Sequence, residues 1–470
     1  MKLIVCFFLN LILLNFSSTT PMQELPPDYY DDDDDEASRE GKFRTICYYT
    51  NWGSHRNIED SRLYPEDIPA DLCTHILYAF GMIGGRNIKH TIQNDIADYQ
   101  GQGPLYKRIM KLKEKNRRLK ILISCGGWGQ AGQFEGIVGS EEARKEFSQN
   151  VIAFCRQWGF DGIDLDWEFP RSEHKENFGL LTKTMRQEFE EESKKTNKPR
   201  LLASIATAAG EYLLKHGYDV PTLCKYLDFV NVMTYDLYGG WYNKVGHHAA
   251  LYGTPEETGQ DAELNTNSSI YHWIDMGCSR KKLSIGIPTY GRSFAGDDPI
   301  KSWGQSGGGN GGLTSRYLGE SGIQTYFEVC MKLQNEGFKR YWHPQHQSAI
   351  AFKKGTWIGF DDPDGARVKC DYVVREGLNG AMFWTLDMDD FNGKFCKNGS
   401  FPVIRAVRDC FKRAMIKTTT TTTTTTSAKK ITTPPQNYNP YRPDIKNSSL
   451  PSQIIIDISV EKNIYLFFDY

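Results

Sequence analysis

The residues with the clearest chemical potential lie in Asp161-Gly-Ile-Asp-Leu-Asp-Trp-Glu-Phe-Pro170. Asp164, Asp166 and Glu168 alternate with Leu165 and Trp167, and a strand sends residues i, i+2 and i+4 to one face. Three carboxyls pointing the same way repel one another, so at least one resists ionisation and keeps a proton that a lone carboxylate would lose. A protonated carboxyl beside an ionised one is the pair used in glycosidic bond cleavage. A solvated acidic strand is disfavoured by the apolar Phe160, Ile163, Leu165 and Trp167, while a divalent-cation site remains a competing reading. Asp161 has the opposite parity to the other acids, which points to a turn or hydrogen-bonding role.

Elements that would position these acids recur along the chain. Apolar or β-branched runs at Thr45–Tyr49, His75–Phe80, Lys120–Ser124, Gly162–Asp166, Leu201–Ile205, Phe229–Met233, Leu283–Pro288 and Gly380–Trp384 read as strands. Amphipathic stretches at Gly103–Lys115, Glu141–Trp158, Glu173–Lys194, Ser268–Met276 and Gly365–Glu376 read as helices between them. The alternation predicts an α/β fold, a (β/α)8 TIM barrel, with chemistry at the C-terminal ends of the strands. On that rule Trp128, Glu168, Tyr235, Asp236, Tyr290, Arg292 and Trp384 all fall at one mouth. The interval Ser293–Asp361 is too long for a loop and predicts an inserted small α+β subdomain between strands 7 and 8, including a helix Ile323–Asn335 and a strand Ser348–Phe352. The glycine-rich Gly307–Gly312 within it is not a phosphate loop, because no Lys-Ser/Thr follows.

With 470 residues there is ample length for a core, and the formal charge of −2 gives no hint of a nucleic-acid partner. The aromatic fraction is 13%, with 10 Trp, and surplus rings often line carbohydrate clefts. Residues 1–18 read as a secretory signal peptide, which predicts a secreted, extracellular protein with no membrane anchor. Residues 19–42, with Asp28-Tyr-Tyr-Asp-Asp-Asp-Asp-Asp-Glu36, read as an acidic disordered segment. Residues 43–412 would form the barrel, and 413–470, with the run Thr418–Thr426, a disordered O-glycosylated tail whose apolar end is unassigned. Asn267, Asn398 and Asn447 stand in N-glycosylation sequons. No close Cys/His spacing suggests zinc, and no metal or cofactor is expected.

The signature Asp161-x-x-Asp164-x-Asp166-x-Glu168 resembles that of family 18 glycoside hydrolases, the chitinases and their lectin-like relatives. The resemblance runs from about Phe43 to Phe411. It includes Cys47-Tyr-Tyr-Thr-Asn-Trp52, Leu72-Cys-Thr-His-Ile-Leu-Tyr-Ala-Phe80, Ser124-x-Gly-Gly127, Met233-Thr-Tyr-Asp236, Pro288-Thr-Tyr-Gly-Arg-Ser293, Trp357-Ile-Gly-Phe-Asp-Asp362 and Gly380-Ala-Met-Phe-Trp384.

By that resemblance the substrate is chitin or chitooligosaccharide, cut with retention of configuration by an endo-acting, monomeric enzyme; the alternative is a non-hydrolytic lectin of the same fold. Glu168 is implied as general acid, Asp166 as partner of the sugar's acetamido group, Asp164 as its support, and Tyr235 as donor to the acetamido oxygen. Met233, Asp236, Tyr290, Arg292, Met382 and Trp384 would shape the cleavage subsite. Tyr48, Trp52, Phe80, Gly127, Trp128 and Trp241 would add contacts along the cleft. Cys47 with Cys73, and Cys330 with Cys396, match positions bridged in similar proteins. Phe169 stands where many relatives have Tyr, and Tyr238 where many have His. Residues 84–105 follow the pattern poorly, and no cysteine-rich module follows Cys410.

Overall fold

The computed structural model describes residues 43–98, 101–305 and 312–424, without side chains for 417–424. The signal segment, the acidic segment, most of the glycine-rich piece, Asn447 and the tail beyond Thr424 lie outside the described residues. The fold below belongs to the unit ending at Thr420.

The strands, in chain order, are β1 Arg44–Thr50, β2 His75–Gly84, β3 Asn87–His90, β4 Lys120–Gly126, β5 Gly162–Asp166, β6 Leu202–Thr207, β7 Phe229–Val232, β8 Leu283–Pro288, β9 Tyr290–Phe294, β10 Ile323–Thr325, β11 Lys339–His343, β12 Ser348–Lys353, β13 Thr356–Phe360 and β14 Gly380–Trp384. Parallel pairing in the order β1-β14-β8-β7-β6-β5-β4-β2 closes through β1–β2, and β3 adds antiparallel to β2. This is the predicted (β/α)8 barrel.

Alternation along the strands separates two apolar layers. Ile46, Tyr48, Leu77, Leu122, Phe229 and Met382 pack inside the barrel. Ile163, Leu165 and Trp167 join the larger layer between strands and helices. Asp164 and Asp166 therefore point inward, as the parity of β5 requires.

Helix ends follow local chemistry. Ser140 accepts from the Ala143 N–H at the start of Glu141–Trp158, and Gly159 ends that helix in the left-handed region (φ 86°). Asp362 caps Pro363–Glu376 with Pro363 in the first turn. The last helix among the described residues is Pro402–Thr424, of which the part up to Thr420 belongs to this unit.

Several element bounds differ from expectation, among them Leu201, which precedes β6, and Glu173, which precedes the helix Lys175–Thr196. The helix expected over Gly103–Lys115 is two pieces, Leu105–Met110 and Leu112–Lys115. Met233 lies just past β7. The helix expected from Ile323 starts at Tyr326, because Thr325 and Glu328 form a reciprocal capping box while Ile323–Thr325 pairs with β9. The inserted unit is a five-stranded antiparallel sheet, β10-β9-β13-β12-β11, carrying the helix Tyr326–Asn335.

Disulfides join Cys47 to Cys73, Cys224 to Cys278, Cys330 to Cys396 and Cys370 to Cys410. The first and third are the two pairs that the resemblance implied. Cys125 and Cys155 are free and buried.

Candidate active site

Strand register explains why neighbouring acids on β5 have different surroundings. Asp164 lies in register with Ser124 on β4 and Ser204 on β6. Both hydroxyls donate to its carboxylate, Ser124 Oγ at 2.8 Å and Ser204 Oγ at 2.7 Å, and Tyr48 Oη adds a third donor at 2.7 Å. Burial raises the pKa of Asp164, and these bonds work against the rise. Asp166, two residues on, is flanked in register by Gly126 and Ala206, which offer no side-chain donor. Its Oδ1 is buried with no hydrogen bond from the protein. Burial first, then the nearby Glu168 and Asp164 carboxyls, hold Asp166 well above the usual carboxylate range.

Glu168 lies just past the end of β5 and is half-buried. Burial and the Asp236 carboxylate push it up to about 7. Asp236 behaves oppositely. Burial opposes its charge, yet the Arg292 guanidinium grips both oxygens (Nε–Oδ1 2.8 Å, Nη2–Oδ2 2.6 Å) and holds the carboxyl well below the usual range. One acid keeps its proton up to about neutrality while a neighbour is ionised throughout that range.

Tyr235, buried after β7, donates to Met382 Sδ at 3.6 Å, a weak acceptor. Burial and the surrounding carboxyls keep its phenol protonated. The ring of Tyr290 lies 6.2 Å from that of Tyr235. Trp384, at the end of β14, stacks on Phe80 at 5.8 Å and meets Tyr48 at 5.1 Å and Trp52 at 6.4 Å. Arg292 sits over the Trp241 ring at 4.9 Å. The exposure of Trp128 (78%), Trp241 (62%) and Trp52 (42%) makes them surface rings rather than core. Met233 is half-buried beside the inner cluster. Non-proline cis peptides follow Ala79, Glu168 and Trp384.

Gly127 has φ +93°, and a Cβ there would meet the Phe80 ring at 2.7 Å; its N–H donates to Asp166 O at 2.8 Å. Gly126 (φ +115°) is tighter still, since a Cβ would sit 2.1 Å from Asp166 O. Gly126→Ala should lower stability by about 2 kcal/mol or more. An unchanged Tm by calorimetry would contradict that packing.

Asp161 lies at the opposite end of β5. Lys113 Nζ contacts both its oxygens at 2.8 Å, and the Ile121 N–H donates to Oδ2 at 2.8 Å. Asp166, Glu168, Gly127, Trp128, Tyr235, Asp236 and Trp384 come from strand C-termini or the loops after them, whereas Tyr48, Phe80, Asp164 and Met382 lie within β1, β2, β5 and β14, and Tyr290 and Arg292 on β9. Among the described residues, the set Cys370, Asp371 and Cys410 brings ligand atoms close enough for a metal, but its two cysteines are consumed in a disulfide. Two residues outside the predicted set touch these acids, Ser204 at Asp164 and His248, whose Nδ1 lies 3.3 Å from Asp236 Oδ1. Ser204 carries no signal until β5 and β6 are paired, and His248 none until its loop folds back on Asp236.

The family model Glycosyl hydrolases family 18 matches residues 44–389, and the chain belongs to that family. It is 38% identical over 371 residues to a probable endochitinase of Caenorhabditis elegans, covering 77% of this chain and 59% of that protein's length. It is 34% identical to mouse chitotriosidase-1, covering 78% and 77%. Among solved structures, the immunomodulatory active chitinase of Trichuris suis matches with TM-score 0.73 and 35% identity over 78% of this chain and 100% of that one. Human YKL-39, described as a pseudo-chitinase with retained chitooligosaccharide binding, matches with TM-score 0.74 and 32% identity over 79% and 100%.

Proposed function

We propose that this protein is a secreted chitinase that hydrolyses β-1,4-N-acetylglucosamine linkages with retention, using the substrate's own acetamido group. The observation that carries the reading is one unsatisfied and one weakly satisfied polar group near Glu168. Asp166 Oδ1 lacks a donor, and the Tyr235 hydroxyl has only a thioether to donate to. An acetamido group supplies both complements, an N–H for Asp166 and a carbonyl oxygen for Tyr235. So oriented, its oxygen attacks the anomeric carbon while Glu168 protonates the departing glycosidic oxygen. In the reactive form the Glu168–Asp166 pair holds one proton, on Glu168, so Asp166 is already the carboxylate that stabilises the positive charge of the oxazolinium intermediate. Glu168, now ionised, takes a proton from water as the water oxygen attacks the anomeric carbon and displaces the acetamido oxygen, so two inversions retain the configuration.

An endo mode is supported by exposed Trp52, Trp128 and Trp241, which offer stacking surface beyond the central Trp384. Trp384→Ala should weaken oligosaccharide binding by about 2 kcal/mol, roughly thirtyfold, with a smaller loss of stability. Fluorescence titration beside a thermal melt separates the two; equal affinity in the variant would remove Trp384 from the subsite.

The acid must be protonated, and Glu168 is held up to about 7. Hydrolysis should therefore persist through the mildly acidic range and fall as pH rises through about 7. A kcat/KM profile whose alkaline limb lies near the ordinary glutamate value would exclude Glu168 as the acid.

The second reading is a chitin-binding lectin, favoured by the pseudo-chitinase among the related structures. The presence of Glu168 favours turnover. Release of soluble oligosaccharides from a chitin oligomer, with the product anomer read at early times, decides between them.

A further inference from the structure

His248 lies in the loop between β7 and β8 and is buried. Its Nδ1 is 3.3 Å from Asp236 Oδ1, and the Asp236 backbone N–H points at the same nitrogen at 3.4 Å. A neutral imidazole has one proton to place. Were it on Nε2, that buried nitrogen, which has no partner from the protein, would hold an orphaned N–H. With the proton on Nδ1 the Asp236 backbone N–H loses its acceptor instead, so each tautomer leaves one donor without a partner, and the charge-assisted Nδ1–H bond to the carboxylate makes that tautomer the favoured one. Asp236 then receives three N–H bonds, one from His248 and two from Arg292. It is also a non-glycine residue at φ 56°, a conformation that costs energy unless its surroundings enforce it. The His248 ring packs on Tyr290 at 5.0 Å, the residue two before Arg292.

We propose that His248 is a positioning residue: with Arg292 it locks the Asp236 carboxylate in place as the fixed anion acting on Glu168. This rests on the role given to Glu168 above. The groups around Asp236 are Arg292, His248, Tyr235, Tyr290 and Glu168. His248 also meets Asp361 and His247, and Asp166 meets Glu168. Burial keeps His248 itself below the ordinary histidine value, so it acts as a neutral donor rather than a switch.

The test follows the Glu168 carboxyl directly, as an infrared band assigned by its loss in Glu168→Gln, titrated in the full chain. Asp236→Asn should lower the Glu168 midpoint most. His248→Leu, which removes the donor, should lower it by about half a pH unit or more. His248→Asn, whose amide can replace the Nδ1–H, should restore it. A purely structural role would reduce the melting temperature in both His248 variants and leave the midpoint where it is. The proposal is overturned by an unmoved midpoint in His248→Leu or Asp236→Asn, or by an Asn variant that falls as far as Leu. Oligosaccharide release, measured in parallel, tests the chitinase reading separately. A wild type that titrates as described but releases nothing ends that reading and leaves the His248–Asp236–Glu168 coupling intact.

Discussion

Glu168→Gln should cut oligosaccharide release by about a hundredfold to ten-thousandfold while leaving the fold and ligand binding in place. Glutamine matches glutamate in shape and keeps hydrogen-bonding atoms, but has no proton to deliver to a leaving oxygen. A positioned general acid contributes about 10² to 10⁴ in rate. The measurement pairs product release from a chitin hexamer with binding titration of the same variant. Loss of both together would indicate a collapsed site, and near-normal turnover would overturn the acid assignment. Stability supplies an independent readout of the same carboxyl. Its folded pKa of about 7 lies above the ordinary value of 4.5, so the folded state binds the proton more tightly than the unfolded one. Wild-type stability from this group is present at low pH and is lost as pH rises through that window. The Gln variant lacks this loss, so its melting temperature should gain on wild type between about pH 4 and pH 8.

Asp166→Asn should be nearly as damaging, by about a hundredfold to a thousandfold, for a different reason. The amide fills the same space between Gly126 and Ala206, but brings no negative charge to a cationic intermediate. It also changes the titration. In the wild type, Glu168 and Asp166 hold protons as a pair, and the second ionisation is resisted by the first charge. With asparagine present Glu168 titrates alone, so the alkaline limb of the residual activity should move to lower pH. A variant with wild-type kcat/KM would show that Asp166 is only packing. An unmoved limb would show that the two carboxyls do not share protons.

Much of this site was legible in the chain. The parity of Asp164, Asp166 and Glu168 set their common face, and the strand–helix alternation placed Tyr235, Tyr290, Arg292 and Trp384 at one barrel mouth. Apolar periodicity is a local property, so β5, β8, β14 and the helix Glu141–Trp158 were readable with their observed bounds. Ile323–Thr325 was not, because three residues before a helix become a strand only through pairing with β9. Likewise Ser204 and His248 are ordinary residues until distant segments meet.

The order of amino acids by itself determined which groups exist and which face of β5 they share. Only tertiary structure decided how the surroundings of the acids differ. Asp164 and Asp166 are chemically identical and two residues apart, yet Ser124 and Ser204 satisfy the first while Gly126 and Ala206 leave the second unsatisfied. A hydrogen bond reaches about 3 Å, and which atoms lie within that reach is set by the register of neighbouring strands, a quantity that no single strand contains.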